Sequence, residues 1–499
     1  GRIDDLDLRD YDETLAPDSP NVTLLNPTGA ATPYYAVFGW VPARGAQTGP
    51  TPALDTVWEV ESGERLAPGS PVVLRWDNGE GLIFRRRVSV DEKYMFTVEQ
   101  TVENRTDRAL SLVPYGIVAR HGTPQTINFY ILHEGAIGYT DEVLQEIDYD
   151  DMLEFETDPR ERAPARSIQV AGNGWLGFTD KYWMTALAGG PDAPFEAVFK
   201  TVQGRSGPIY QTDLRHPALE VAPGATASAT TYAFAGAKET STLRMYEREL
   251  GIDGFEEAVD WGWFFFLTKP IFRALMFIQG IVGNMGFSII LLTLIIKAVL
   301  FPLAYKSFVS MSRMKKLQPE MEKIKERAGE DKQKLQQEMI ALYKKEKVNP
   351  ASGCLPILLQ IPIFFSLYKV IFVTLEMRHA PFILWIEDLS APDPSSWINL
   401  FGLLPWGADV LPGFLAFFSI GLFPILMGVS MWMQQKLNPA PTDPVQAQIF
   451  GLMPFFFMFL LGQFAAGLVI YWVANNVLTF IQQYSIMRSQ GVDVDFLGN

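Results

Sequence analysis

A lysine stands where water should not reach. Lys297 is the twelfth residue of an otherwise apolar stretch, 286–305. Tyr305, at the end of that stretch, is eight residues away, about 12 Å along a helix, and a lysine stem spans roughly half of that distance. A cation so placed faces protein or a water-filled cavity, and the competing reading is a side chain that reaches lipid phosphates through local thinning. No Asp or Glu lies within the apolar stretches to pair with it, because Glu376 falls at an edge and Asp443 in a loop. A lone cation favours hydration, or an anionic group that arrives with a substrate. Thr293, Gln360, Asn475 and Asn476 share these stretches, with Ser288, Ser366, Ser419, Gln434, Gln435 and Gln482 within or at their ends. Singly, such residues serve as hydrogen-bonding glue between helices. Together with Lys297 they could line a polar groove.

Other chemistries are poorly served. One cysteine, Cys354, allows no internal disulfide and no thiolate metal site. His121, His133, His216 and His379 lack metal-ligand spacing. There is no GxxxxGK[ST] phosphate loop and no spaced catalytic constellation, so no cofactor and no enzyme activity are expected. A net charge of −15 argues against nucleic-acid binding.

The elements that must position these residues follow from the charge distribution. Residues 1–260 carry 22 Lys+Arg against 41 Asp+Glu, residues 306–347 carry 12 against 7, and the remainder is nearly uncharged and rich in Phe, Leu and Ile. Residues 1–21 show no apolar period and read as a flexible lead-in. From 22 to 238, short β-branched and aromatic runs such as 34–40, 72–76, 82–88, 94–102 and 225–237 are separated by Gly, Pro, Asn and Asp, which predicts an all-β sandwich. Residues 239–284 read as a short charged helix, a linker and an amphipathic helix in the membrane surface, because Lys269, Pro270 and Arg273 interrupt its apolar text. Five spans are expected near 286–305, 354–375, 413–433, 449–463 and 466–486. Between the first two, Met311, Met314, Leu317, Met321 and Ile324, then Leu335, Met339 and Leu342, form the seam of a helical hairpin over 306–350, kinked at Pro319. Its positive charge places it in the cytoplasm. Alternation then puts the loop 376–412 and the β-domain outside, and the tail 488–499 inside. Export of so large a domain calls for an upstream signal anchor.

The stretches GFSIILLTLIIKAVLFPLAYKS, LQPEMEKIKERAGEDKQKLQQEMIALYKKEKVNPASGCLPILLQIPIFFSLYKV, APFILWIEDLSAPDP and GLVIYWVANNVLTFIQQY resemble the YidC/Oxa/Alb membrane protein insertase family. The resemblance runs from about 255 to 487, and the preceding β-domain is similar in position and strand character to the periplasmic domain of the Gram-negative YidC branch. It implies a polytopic α-helical insertase core, 285–487, in the bacterial inner membrane, acting as insertase and chaperone for nascent membrane-protein clients. It also implies a hydrophilic groove in which Lys297 occupies the position of the family's usual arginine. The charge is kept and the planar fork of donors is lost. The client-groove residues expected on this basis are Lys297, Thr293, Gln360, Phe364, Tyr471, Trp472 and Asn475. Expected partners are the lipid bilayer, a Sec translocon with its accessory subunits, and the ribosome through the 306–350 hairpin. The long basic C-terminal tail of some relatives has no counterpart after Arg488. The alternative from another class is a secondary transporter or channel with Lys297 in its substrate path. The five spans show no paired repeat to support it.

Overall fold

The computed structural model describes residues 2–53, 55–127, 131–329, 331–346, 348–349, 355–401, 403–404, 406, 418–438 and 444–492. The chain divides into two compact units, 1–260 with 373–375, and 261–372 with 376–499.

Alternation of apolar and polar residues builds the first unit. Met95–Asn104 and Leu110–His121 bury every second side chain over most of their length, the period-two pattern of a half-buried strand. An eight-stranded antiparallel sheet runs Arg2–Ile3, Tyr34–Pro42, Leu110–His121, Pro208–Arg215, Phe195–Gln203, Ala163–Val170 and Thr157–Asp158, with Leu219–Val221 also paired to Leu110–His121. A nine-stranded sheet runs from Val143–Asp148 through Thr226–Ala237 and Met95–Asn104 to Glu59–Ser62. Phe199, Tyr210 and Leu214 from the first meet Leu176, Phe178 and Leu187 from the second in one core. The expected sandwich is therefore present.

Its limits are wider than expected. The flexible lead-in is in fact a strand, Leu6–Asp12, paired with Asn21–Leu25. Leu8 is fully buried, and the Tyr11 hydroxyl donates to Glu239 Oε1 at 2.7 Å. Leu6 and Leu8 alternate with acidic residues that dominate the composition and hide the period. At the other end, the stretch read as a linker belongs to the same unit. Helix Thr240–Glu249 buries Leu243 and Tyr246, and Phe255 packs edge-on against Trp175 and Phe234 at 5.4 and 5.5 Å.

The outer face of the eight-stranded sheet carries a charged lattice. Register places Tyr115, Arg215, Glu196 and Gln169 in one cross-strand row, and Ile117, Asp213 and Val198 in the next. Glu161 folds onto this face, and both its oxygens accept from the Arg215 fork at 2.6 and 2.7 Å. Lys200 Nζ donates to Glu161 at 3.0 Å and to Asp213 at 2.7 Å, and Arg215 also reaches Asp213 at 2.8 Å.

The second unit is helical: α1 (Phe265–Val282), α2 (Met285–Lys316), α3 (Gln318–Ala328), α4 (Lys332–Lys345), α5 (Leu355–Val373), α6 (Leu422–Leu437), α7 (Pro444–Leu461) and α8 (Ala466–Ser489). Among the described residues, α1 and α2 are long and apolar enough to cross a membrane, and 358–373 and 445–461 are shorter apolar helices. Asn284 caps α2, its side chain accepting from Phe287 N–H. The first expected span therefore continues unbroken into the first eleven residues of the expected hairpin.

Three expectations need correction here. Pro319 does not kink a helix; the chain breaks at Leu317, and the proline sits in the first turn of α3, where its missing N–H costs nothing. The hairpin proper is α3 and α4, held by Met321, Ile324 and Leu342 with Leu317, Leu335 and Met339, whereas Met311 packs with Phe308 and Ile486 instead. The third span does not include residues 418–421, which are irregular. α6 begins at Leu422 because Ser395 Oγ and Asp393 Oδ2 accept from the N–H groups of Leu422 and Phe423, each at 3.0 Å. Those caps lie about thirty residues upstream, outside any local signal. Cys354 and 413–417 fall outside the described residues.

Candidate functional site

α8 supplies one wall of the site. Tyr471, Asn475, Thr479 and Gln483 recur every fourth residue and are all buried, so they form one file about 18 Å long on a single helix face. Asn476, one position round, donates to Ser430 Oγ on α6 at 3.2 Å. Gln483 donates to Asn438 Oδ1, just past the end of α6, at 3.1 Å.

α2 and α5 complete the site. Lys297 Nζ donates to Gln360 Oε1 at 3.2 Å and to Thr479 Oγ1 at 2.9 Å. The ammonium can only donate, so it fixes the Gln360 amide with its oxygen toward Lys297. The Gln360 Nε2 group then donates to Tyr471 Oη at 3.0 Å and to Asn475 Oδ1 at 2.6 Å. Thr479 Oγ1 in turn donates to the Asn475 backbone carbonyl at 2.6 Å. Five hydrogen bonds donated by side chains thus join Lys297, Gln360, Tyr471, Asn475 and Thr479. Among the described residues, both acceptors of the ammonium are neutral oxygens and no carboxylate lies within 4.0 Å of it. The ammonium's third N–H has no protein acceptor among them.

Six of the seven expected groove residues stand close together. Lys297, Gln360, Tyr471 and Asn475 share the hydrogen-bond network, and Trp472 stacks on Phe364 at 4.9 Å with the rings 2° from parallel, Phe364 lying one turn beyond Gln360. Thr293 is not brought in: its hydroxyl donates to the Ile289 carbonyl of its own helix at 2.7 Å and is buried there. Tyr471 is buried rather than displayed, 1% exposed, while Trp472 is half-buried.

Two residues escaped the sequence reading. Thr479 is an ordinary residue in an apolar helix, and its signal was the four-residue spacing from Tyr471 and Asn475. Lys369, a second lysine within an apolar helix, is also buried. Gly262 is at φ +70°, and a Cβ there would meet Lys369 Cε at 2.7 Å, so the absence of a side chain at 262 admits the lysine stem.

Known proteins resemble this chain along its whole length. The 60Kd inner membrane protein family matches residues 277–492, and the YidC periplasmic domain family matches 1–274. The membrane protein insertase YidC of Dinoroseobacter shibae is 59% identical over all of this chain and 82% of its own length. That of Paracoccus denitrificans is 56% identical over all of this chain and 81% of its own. A solved active YidC insertase aligns with 96% of this chain and 82% of its own at 18% identity, with a TM-score of 0.38.

Proposed function

The chain belongs to the YidC family of membrane protein insertases, and from that premise we propose that the Lys297 network is the wall of a hydrated groove that receives client segments. Insertion of membrane proteins, rather than bond chemistry, is the family's activity, and the bacterial inner membrane with a periplasmic β-domain is its setting. The finer reading concerns how these residues act.

A client's polar segment crossing the apolar slab leaves its backbone groups unsatisfied at several kcal/mol each. The file from Tyr471 to Gln483, with Gln360 and Lys297 beside it, offers amide and hydroxyl groups along about 18 Å of that path. Polar side chains there hold water and shorten the dry stretch. Lys297 adds attraction for acidic residues in a client's tail. Two unit charges 4 Å apart gain about 4 kcal/mol at an effective dielectric of 20, before desolvation is subtracted. The observation that carries this reading is that, among the described residues, the ammonium is held by neutral oxygens, which keep it in place without cancelling its charge. The client's apolar helix then leaves sideways past the Phe364–Trp472 stack into lipid.

The same reading assigns the topology. The basic α3–α4 hairpin and the C-terminus lie in the cytoplasm, and the loop 376–412 and the β-domain lie outside. α1 lies in the membrane surface. The hairpin's charged exterior suits client or ribosome capture, and the β-domain suits docking of partner membrane proteins such as a Sec translocon. The protein also acts as a chaperone for clients it has received.

The test is insertion of one short-tailed client, with neutral or acidic tails, into proteoliposomes. Lys297→Arg should insert both. Lys297→Ala should lose insertion of the acidic-tailed form about tenfold more than that of the neutral one, the equivalent of roughly 1.4 kcal/mol. Equal loss for both tails would remove the charge-attraction step.

A further inference from the structure

The loop that follows α5 has an unusual property for irregular backbone: from Ser395 to Leu404 each described N–H finds an acceptor within the protein. Ser395 N–H is accepted by Asp393 Oδ1 at 2.9 Å, Ser396 N–H by Asn399 Oδ1 at 3.1 Å, and Ile398 N–H by Ser396 Oγ at 3.2 Å. Carbonyl oxygens take the next ones: Ile420 accepts from Trp397, Ser396 from Asn399 and Phe401, Trp397 from Leu400, and Asn399 from Leu404, at 2.7–3.2 Å. To close these bonds the chain adopts left-handed backbone at two consecutive non-glycine residues, Leu400 and Phe401, with φ of +50° and +58°. The indoles are sealed as well. Trp397 Nε1 donates to the Phe418 carbonyl at 2.7 Å, and Trp406 Nε1 to the Ile398 carbonyl at 3.3 Å.

A loop bathed in water has no need of this, because water satisfies its N–H groups. Irregular backbone facing lipid does need it. The outward side chains agree: Leu403 is 83% exposed, Leu400 53%, Trp397 52% and Trp406 44%, and no charged residue occurs from Pro394 to Ala408. This uncharged stretch lies between Asp393 and Asp409, and Asp393 is turned inward and taken up by Trp385 Nε1, Ser395 and the start of α6. This surface is also continuous with an exposed apolar helix. Ser396 Oγ and Ser419 Oγ are 2.7 Å apart, Phe418 packs on Phe459 of α7 at 5.4 Å, and α7 exposes Phe455, Phe456 and Leu460.

We propose that this loop is a membrane-inserted wedge, with Trp397, Leu400, Leu403 and Trp406 seated in phospholipid at the boundary between headgroups and acyl chains. That depth suits aromatic and aliphatic anchors on a non-spanning element. The wedge rests on the family's membrane location and not on the groove reading, and its test does not measure insertion of clients.

The experiment uses the full chain reconstituted in phosphatidylethanolamine–phosphatidylglycerol vesicles, with Cys354→Ser as background. A nitroxide is attached at Leu403→Cys or, in a second protein, at Leu400→Cys. Collision rates with oxygen, which concentrates in lipid, are compared with those of a water-soluble nickel chelate. Reference positions are Phe456→Cys on α7 and Val57→Cys, which is exposed on the β-domain. The wedge requires an oxygen-to-nickel ratio at 403 and 400 close to that of 456 and about tenfold above that of 57, as expected for side chains buried about 5–10 Å into the interface. A ratio equal to that at 57 would overturn it. Poor collision with both reagents would also overturn it, since protein rather than lipid would then cover the loop.

Discussion

Two clusters of poorly exposed cations, one in each unit, are held in opposite ways. On the outer sheet face, Lys200 and Arg215 are surrounded by Glu161, Asp213 and Glu196, so each positive group touches carboxylate. Among the helices, Lys297 touches an amide oxygen and a hydroxyl. The first arrangement is closed, since its two cations sit among three carboxylates and each of them is neutralised by direct contact. The second is open, because neutral oxygens solvate an ammonium without neutralising it. A lattice that only stabilises can afford to be complete. A site that must attract an incoming anion has to leave its field uncancelled.

The largest effect should come from opening the closed cluster. Glu161→Ala removes the carboxylate that spans Arg215 and Lys200 and leaves them to Asp213 and Glu196, so the cost should lie toward the lower end of the roughly 3–5 kcal/mol lost when a buried pair is broken. Chemical denaturation followed by the β-sheet circular dichroism signal measures it. Replacing both Glu161 and Arg215 by Leu and Met should cost distinctly less. A double variant as unstable as the single one would mean that packing, not charge, holds this face together.

Acid should attack the same unit in two stages. The His216 imidazole is half-buried and pushed down to about 4 by burial. Its folded value lies below the unfolded one of 6.5, so the unfolded chain takes up the proton first and stability declines as pH falls from 6.5 toward 4. Glu161 is held at about 2, chiefly by the Arg215 hydrogen bonds and then by Lys200, against the opposing effect of burial. Its contribution is complete above 4.5 and disappears between 4.5 and about 2. Denaturation midpoints across pH 7 to 3 should therefore fall in both windows, and His216→Phe should flatten only the upper one. A single drop confined below pH 4.5 would rule out the histidine stage.

The comparison sharpens if the open cluster is closed artificially. Thr479→Asp places a carboxylate where Lys297 now meets a hydroxyl. The pair should form and the helices should remain folded, but the cation would be cancelled. Insertion of acidic-tailed clients should then fall about as far as in Lys297→Ala, on the order of tenfold if the lost attraction is worth roughly 1.4 kcal/mol, with neutral-tailed clients much less affected. Undiminished insertion of acidic tails would show that the free charge of Lys297 is not what recruits them.

Much of the architecture was legible because its signals are local. Met95–Asn104 alternates, α2 is a long apolar run, and Lys297 is conspicuous as one charge inside it. What stayed hidden depends on partners distant in sequence. Leu8 is buried by its pairing with Asn21–Leu25 and not by its acidic neighbours. α6 starts where Asp393 and Ser395 reach it. Thr293 and Thr479 look alike in sequence, and each is buried and donates to its own helix, yet only Thr479 also accepts from Lys297, because helix packing decides which buried face meets the lysine.

That contrast between threonines gives the smallest and most specific effect. Thr479→Val keeps the branched shape but removes both the acceptor for Lys297 and the donor to the Asn475 carbonyl. The loss should be modest. Gln360 still accepts from the ammonium, and a helical carbonyl freed of a side-chain donor keeps its backbone partner, so one net hydrogen bond of about 1 kcal/mol is at stake. In insertion rates this is a factor of about five for acidic-tailed clients. Thr479→Ser restores the oxygen without the methyl group and should recover most of that factor, which a purely steric role for the side chain would not allow. Thr293→Val is the matched control, since its hydroxyl serves only its own helix. If the two valine variants behave alike, the file on α8 is packing and not a hydrogen-bonded support for the lysine. If Thr479→Val alone is impaired and serine repairs it, the open cluster depends on a neutral oxygen at this position, just as the closed one depends on its carboxylates.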